Sequence, residues 1–128
     1  MKFDHAAFQV SDINRSIEFY VDKLGFRLCS QETDDNEQEI FAFLELGDAR
    51  IELLQDLEGP YEIPAIVKPY CPHFSLGVDD LNQVAGMLKK KNVPIVRGPL
   101  KIKGQVTWLY ISDPDNNILE YVQWYNKK

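Results

Sequence analysis

The chain has only two histidines, His5 and His73, and they lie 68 positions apart. Displacing the sequence by that distance sets Val10 on Val78, Asp12 on Asp80, Ile13 on Leu81 and Asn14 on Asn82. Further along, Ile51 falls on Leu119, Glu52 on Glu120 and Gln55 on Gln123, so each histidine precedes its glutamate by 47 residues. The flanks agree without a gap, which is the mark of an internal repeat. Imidazole nitrogens combined with carboxylate oxygens suit a divalent first-row cation, Ni, Co, Zn, Fe or Mn, with no thiolate to bias the choice. His5, Glu52, His73 and Glu120 are therefore candidate metal ligands, with open positions for water or substrate. Glu120 is the only glutamate after Glu62 and sits among Ile118, Leu119, Tyr121 and Val122. An uncompensated carboxylate buried there would be costly.

The surrounding elements must bring each His to its Glu. Phe3 to Val10 has strand character, and period two puts Phe3, His5, Ala7 and Gln9 on one face. Ser11 or Asp12 is an N-cap candidate for a helix carrying Ile13, Ile17, Phe19, Tyr20 and Leu24, which Gly25 ends. Strands are expected at 26–31, 40–46 and 49–55, with Gly47 and Asp48 as a two-residue hairpin turn. The acidic run 32–39 reads as a solvated loop or hairpin tip, without the glycine or spacing of a calcium site. A stretch with three prolines, 58–71, follows.

The plan then restarts. A strand at 72–78, a helix capped by Asp79 or Asp80 with Leu81, Val84, Ala85 and Leu88, and strands at 93–96, 105–111 and 118–125 repeat the order. Residues 98–104 read as a basic loop. Asp113, Pro114, Asp115, Asn116 and Asn117 form a polar turn before the last strand. The expectation is an α+β chain of two tandem βαβββ modules, about 1–57 and about 70–126, joined by the proline-rich linker into one domain.

With 45% hydrophobic and 27% charged residues the chain is of ordinary globular composition. No apolar run approaches the roughly 20 residues that span a bilayer, and with Met1 leading directly into a patterned strand no signal peptide is expected. The formal net charge of -6 disfavours nucleic acid and anionic membranes as partners. The runs Lys89 to Lys91 and Lys101 to Lys103 are too short to reverse that. Cys29 and Cys71 form no CxxC motif, so they are expected reduced and partly buried in a cytoplasmic protein.

The segments DHAAFQVSDINRSIEFYVDKLGF, LGDARIELLQ, PHFSLGVDDL and KGQVTWLYISDPDNNILEYVQ resemble the vicinal oxygen chelate superfamily. That family includes glyoxalase I, methylmalonyl-CoA epimerase, extradiol dioxygenases and the fosfomycin and bleomycin resistance proteins. The resemblance covers essentially the whole chain. It implies paired modules forming a cupped, eight-stranded incomplete barrel around one metal, in a homodimer. His5 and His73 match the two histidine positions, Glu120 the shared carboxylate ligand, and Glu52 the fourth position. A carboxylate at that fourth position is typical of glyoxalase I.

The activity so implied is a metal-dependent lyase or isomerase acting on a small thiohemiacetal or α-hydroxycarbonyl compound. Glu120 or Glu52 abstracts a proton beside a carbonyl, and a metal stabilises the enediolate. Two departures from glutathione-dependent members are visible: Gln9 where they tend to have Arg, and Asp56 where they favour Asn. Lys101, Lys103 and Gly104 match the glyoxalase-like loop, where a lysine would hold a carboxylate or phosphate. A thiol cosubstrate such as glutathione is thus one expectation. Epimerase and dioxygenase chemistry remain alternatives. So does a binding protein of the bleomycin-resistance type, stacking flat ligands on Trp108, Tyr110 and Trp124.

Overall fold

A computed structural model describes residues 1–128. The chain runs β1 (Ala6–Gln9), α1 (Ile13–Glu18), β2 (Arg27–Asp34), β3 (Glu39–Leu46), β4 (Ala49–Asp56), β5 (His73–Gly77), α2 (Leu81–Lys90), β6 (Ile95–Ile102), β7 (Val106–Ser112) and β8 (Ile118–Trp124). Two four-stranded sheets form, ordered β1-β4-β3-β2 and β5-β8-β7-β6. The chain divides into two compact units, residues 1–65 with 113–117, and residues 66–112 with 118–128. The α+β class and the twice-repeated βαβββ order are as expected from sequence.

Each unit is built from the same local rules. Asp12 accepts a hydrogen bond from the Arg15 amide at 3.2 Å, and Asp80 one from the Gln83 amide at 3.1 Å, so both helices start on an aspartate cap. The first amide of each helix is also capped, from the sheet: Ile13 N–H donates to Gln55 Oε1 at 2.9 Å and Leu81 N–H to Gln123 Oε1 at 2.8 Å. That is the physical reason the displaced sequence matches Gln55 with Gln123. Under each helix lies an apolar sheet face. Ile13, Ala42, Leu44, Ile51 and Leu53 are buried in the first unit, and Leu81, Leu109, Ile111 and Leu119 in the second. Alternation along β4 and β8 then sends Glu52 and Glu120 to the opposite face.

Helix α1 continues as a π-helical turn, Phe19–Lys23. Gly25, at φ +83°, reverses the chain so that the Phe26 amide reaches the Tyr20 carbonyl at 2.9 Å. Tyr20 is fully buried, and its hydroxyl donates to Asp113 Oδ2 at 2.9 Å. The polar turn 113–117 is accordingly packed into the first unit although it connects β7 to β8. Asp113 Oδ1 accepts from the amides of Asp115 and Asn117, both at 2.9 Å. Asn117 donates to the Gln9 carbonyl and Asn116 to the Pro64 carbonyl, each at 3.0 Å. Burial pushes the Asp113 carboxyl above the usual range, outweighing these donors.

Four details differ from the sequence expectations. Residues 98–102 are not a loop: β6 runs through to Ile102, and Lys101 pairs with Thr107. Gly98, at φ +108°, sits where an added Cβ would lie 2.9 Å from the Trp108 carbonyl, and the register shifts around it. The acidic run is a hairpin tip shorter than 32–39, since β2 reaches Asp34 and β3 starts at Glu39, leaving 35–38 as the turn. Asp34 closes the turn by accepting from the Asn36 and Glu37 amides. Cys29 and Cys71 are free and exposed, not partly buried. The repeat is also not gap-free. Phe43 faces Glu52 while Tyr110 faces Glu120, so β3 maps to β7 with a displacement of 67 and β4 to β8 with 68. The extra residue lies in the 113–117 turn.

Candidate metal centre: two His–Glu pairs

Parallel pairing of the first and last strands of each module brings each His to its Glu. Ala7 is the register partner of Glu52 and Ser75 that of Glu120, so each His lies two residues before its Glu's partner, on the same face. In the first unit His5 Nε2 stands 3.4 Å from Glu52 Oε1, and in the second His73 Nε2 stands 3.7 Å from Glu120 Oε1. All four side chains are part-buried, 16% to 31% exposed, so a small solute can reach them.

The remaining ring nitrogen of each His is held. His5 Nδ1 meets Asp4 Oδ2 at 2.7 Å, and this bond lowers the Asp4 carboxyl pKa. His73 Nδ1 meets the Tyr70 carbonyl at 2.9 Å. A carbonyl only accepts, so Nδ1 of His73 carries the proton, and in the neutral ring Nε2 presents its lone pair toward Glu120. Tyr70 adopts φ +67°, a costly conformation for a large side chain, in the segment that aims this carbonyl.

The surroundings of the two pairs differ. The His5 ring meets Phe43 edge-on at 5.1 Å. The Arg50 guanidinium lies 4.3 Å from the Phe43 ring centroid and bonds Glu45 at 2.8 Å, which also holds Arg27 at 2.7 Å. Next to His73 stands Tyr110, ring centroids 5.4 Å apart, with Tyr70 packed on Tyr110 at 5.0 Å. Burial and then the Glu120 charge push the Tyr110 phenol up. Ser75 Oγ donates to Glu120 Oε1 at 2.6 Å. Glu120, Ser75, Trp108, Tyr110 and Trp124 line an open cavity of 440 Å³.

Other residues singled out from sequence are distributed as follows. Gln9 is exposed on β1, on the face of His5. Trp108 lies beside Glu120 in the cavity just described. Lys101 and Lys103 line a different, larger cavity of 530 Å³, with Leu81, Thr107 and Gln123. Thr107 shares its sheet face with Leu109 and Ile111, under α2, so the lysines are not beside Glu120. Sequence reasoning missed Asp4, Ser75 and the Tyr70 carbonyl as partners of the site. Ser75 was within reach of a period-two reading from His73, whereas a carbonyl's aim leaves no residue-type signal.

Imidazole Nε2 lone pairs beside carboxylates, each backed by an outer hydrogen bond, form a donor set that fits a divalent first-row cation. Each unit by itself supplies one His and one Glu, and neither gathers three or more His, Cys, Asp or Glu side chains. Residues 2–121 match the model of the glyoxalase/bleomycin resistance protein/dioxygenase superfamily, and the chain belongs to that superfamily. A probable lactoylglutathione lyase of Vibrio cholerae is 27% identical over 93% of this chain and 88% of its own length. The uncharacterized protein YwbC of Bacillus subtilis is 31% identical over 95% and 97%. Some relatives are longer, and the chain spans 44% of the lactoylglutathione lyase GLX1 of Arabidopsis thaliana. The same fold occurs in a glyoxylase/bleomycin resistance protein/dioxygenase domain from Frankia, with a TM-score of 0.78 at 21% identity over 97% of this chain and 92% of that one. No helix is long and apolar enough to cross a membrane.

Proposed function

We propose that this protein is a metal-dependent lyase or isomerase of the glyoxalase I type, acting on a small thiohemiacetal or α-hydroxycarbonyl compound. His5, Glu52, His73 and Glu120 hold one divalent cation, Ni, Zn, Co, Mn or Fe. The observation that carries this reading is the pair of His–Glu contacts, with both Nδ1 atoms committed to outer acceptors and both Nε2 atoms turned to a carboxylate. Relatives named lactoylglutathione lyase support it. We expect a cytoplasmic homodimer, with two such sites per dimer.

The cation supplies Lewis acidity, polarising a bound carbonyl so that the neighbouring C–H loses its proton more readily. Glu120 is the base. It lines the 440 Å³ cavity where a substrate carbon has room to approach. Ser75, by donating to Glu120 Oε1, fixes the carboxylate's rotation and leaves Oε2 to take the proton. Protonated Glu120, in exchange with solvent, delivers a proton to the adjacent carbon, with Glu52 as ligand or partner acid.

Turnover of a methylglyoxal thiohemiacetal or an α-hydroxyketone in deuterated water, by protein loaded with each metal in turn, tests the reaction. Solvent deuterium in the product is the expected result. Oxygen uptake with a catechol, deuterium exchange only into a methyl-branched acyl thioester, or no turnover of any of these would replace the reading.

A further inference from the structure

The face of the first sheet that carries His5 and Glu52 is electrically polarised along β4. Period two sets Arg50, Glu52, Leu54 and Asp56 on it in that order, and the register pairs Arg50 with Glu45 at one end and Asp56 with Glu39 at the other. The Asp56 end is acidic. The Arg50 end is basic, because Arg50 and Arg27 share the single carboxylate of Glu45, at 2.8 and 2.7 Å, which leaves one positive charge in excess. Arg50 is one-third exposed, lies 4.3 Å from the Phe43 ring centroid and bonds one acceptor, Glu45 Oε2. A guanidinium carries five N–H donors in a rigid fork, so donors remain for a ligand while the ring and Glu45 hold its plane. Asp4, whose charge also meets that of Arg50, is committed to His5 Nδ1 at 2.7 Å. The fold does not require this cluster: in the second sheet the pair at the positions of Glu45 and Arg50 is Ser112 and Ile118.

We propose that Arg50 binds an anionic group, carboxylate or phosphate, carried by the carbonyl substrate itself, and so selects acidic α-hydroxycarbonyl compounds over neutral ones. This names the substrate class of the proposed metal centre and rests on that reading. Two neutral imidazoles, two carboxylates and one divalent cation sum to no net charge, so the excess charge on this face is that of the guanidinium. Arg50 lies two residues from Glu52 on the same face, about 7 Å along the strand. A short carbon chain spans that distance from a carbonyl on the cation. Charge-assisted N–H···O bonds from the fork to the anion then fix the orientation of the substrate, and Asp56 and Glu39 at the far end oppose the reversed pose.

Calorimetry on zinc-loaded protein reads binding without turnover. The probes are dihydroxyacetone, dihydroxyacetone phosphate and 5-hydroxy-4-oxopentanoate, which share an α-hydroxyketone and carry no charge, a phosphate and a carboxylate respectively. Binding of one or both anions at least about ten-fold tighter than dihydroxyacetone is expected, and the tighter anion separates phosphate from carboxylate. Arg50→Met is expected to abolish that preference and leave dihydroxyacetone unchanged. Arg50→Lys, which keeps the charge without the fork, is expected to recover part of it. Circular dichroism checks both folds, and if Arg50→Met does not fold, Arg50→Lys carries the test: a loss confined to the anions supports the proposal, and an equal loss for all three probes overturns it. A preference that persists in Arg50→Met belongs to the cation alone and overturns the proposal, as does no preference in the wild type. Zinc content is measured on the same samples. Bound zinc with no anion preference sinks this proposal alone, whereas an Arg50-dependent preference with no solvent deuterium in any product sinks the proton-transfer reading and leaves the Arg50 site standing.

Discussion

The two His–Glu pairs share a backbone and differ in what surrounds them. Both are set by a parallel first-to-last strand pairing, and both have the outer ring nitrogen tied to an oxygen. Around His5 and Glu52 the face mixes Phe43 with charge, Arg50 and Arg27 both bonding Glu45. Around His73 and Glu120 it is aromatic and opens into a cavity. The repeat keeps the two His–Glu contacts alike, and the copy at Glu120 lines a cavity of 440 Å³. That cavity is the reason Glu120 is proposed as the base.

The strongest way to break the comparison is to remove one carboxylate at a time. Glu120→Gln is expected to lower kcat by about 10²- to 10⁴-fold, the usual worth of a general base, in protein saturated with metal. Glu52→Gln is expected to act more on metal affinity than on kcat at saturating metal. Equal kcat losses in the two variants would contradict the asymmetry.

A smaller effect is expected from the outer hydrogen bonds. Ser75→Ala removes the 2.6 Å bond to Glu120 and is expected to weaken the metal or activity by about 10- to 100-fold. The place opposite Glu52 is taken by Ala7, and Ala7→Ser is expected to leave activity nearly unchanged, as read by kcat/KM and metal titration.

The units also differ in how they treat a buried tyrosine. Tyr20 is bonded to Asp113, so Tyr20→Phe is expected to cost about 1.5–3 kcal/mol in urea unfolding, the range for a hydrogen bond to a charged acceptor. Tyr121 is buried, its hydroxyl has no protein partner, and its pKa is pushed up to about 12 by burial. Tyr121→Phe is therefore expected to be neutral or to stabilise by up to about 1 kcal/mol. The folded state holds the phenol proton more tightly than the unfolded state. Wild-type stability from this group is therefore intact below pH 10 and lost as pH rises toward 12. That slope should flatten in Tyr121→Phe.

Much of this was legible in the chain because it is local. Asp12 and Asp80 as caps, Gly25 as a helix stop, and the alternation around Glu52 and Glu120 follow from neighbouring residues alone. Only the start of β6 is legible, as a strand at 93–96, and its second half, with Gly98 and Pro99, reads as a basic loop. Proline is tolerated there since β6 is the edge of its sheet, and Gly98 bulges against β7. The 113–117 run reads as a polar turn. Its burial depends on Tyr20, 93 positions away, and nothing in the local composition announces that bond. Of the candidate site, the two His–Glu contacts are legible from the repeat. The aim of the Tyr70 carbonyl and the separation of Lys101 and Lys103 from Glu120 depend on backbone path and register.

The proposed sharing of one ion by both pairs is decided by metal content after purification, measured on wild type, His5→Ala and His73→Ala. One divalent ion per chain is expected in the wild type, and a loss of affinity of at least about 100-fold in each variant, more than removal of an outer partner costs. No stoichiometric ion in the wild type, or unchanged affinity in either variant, would contradict it.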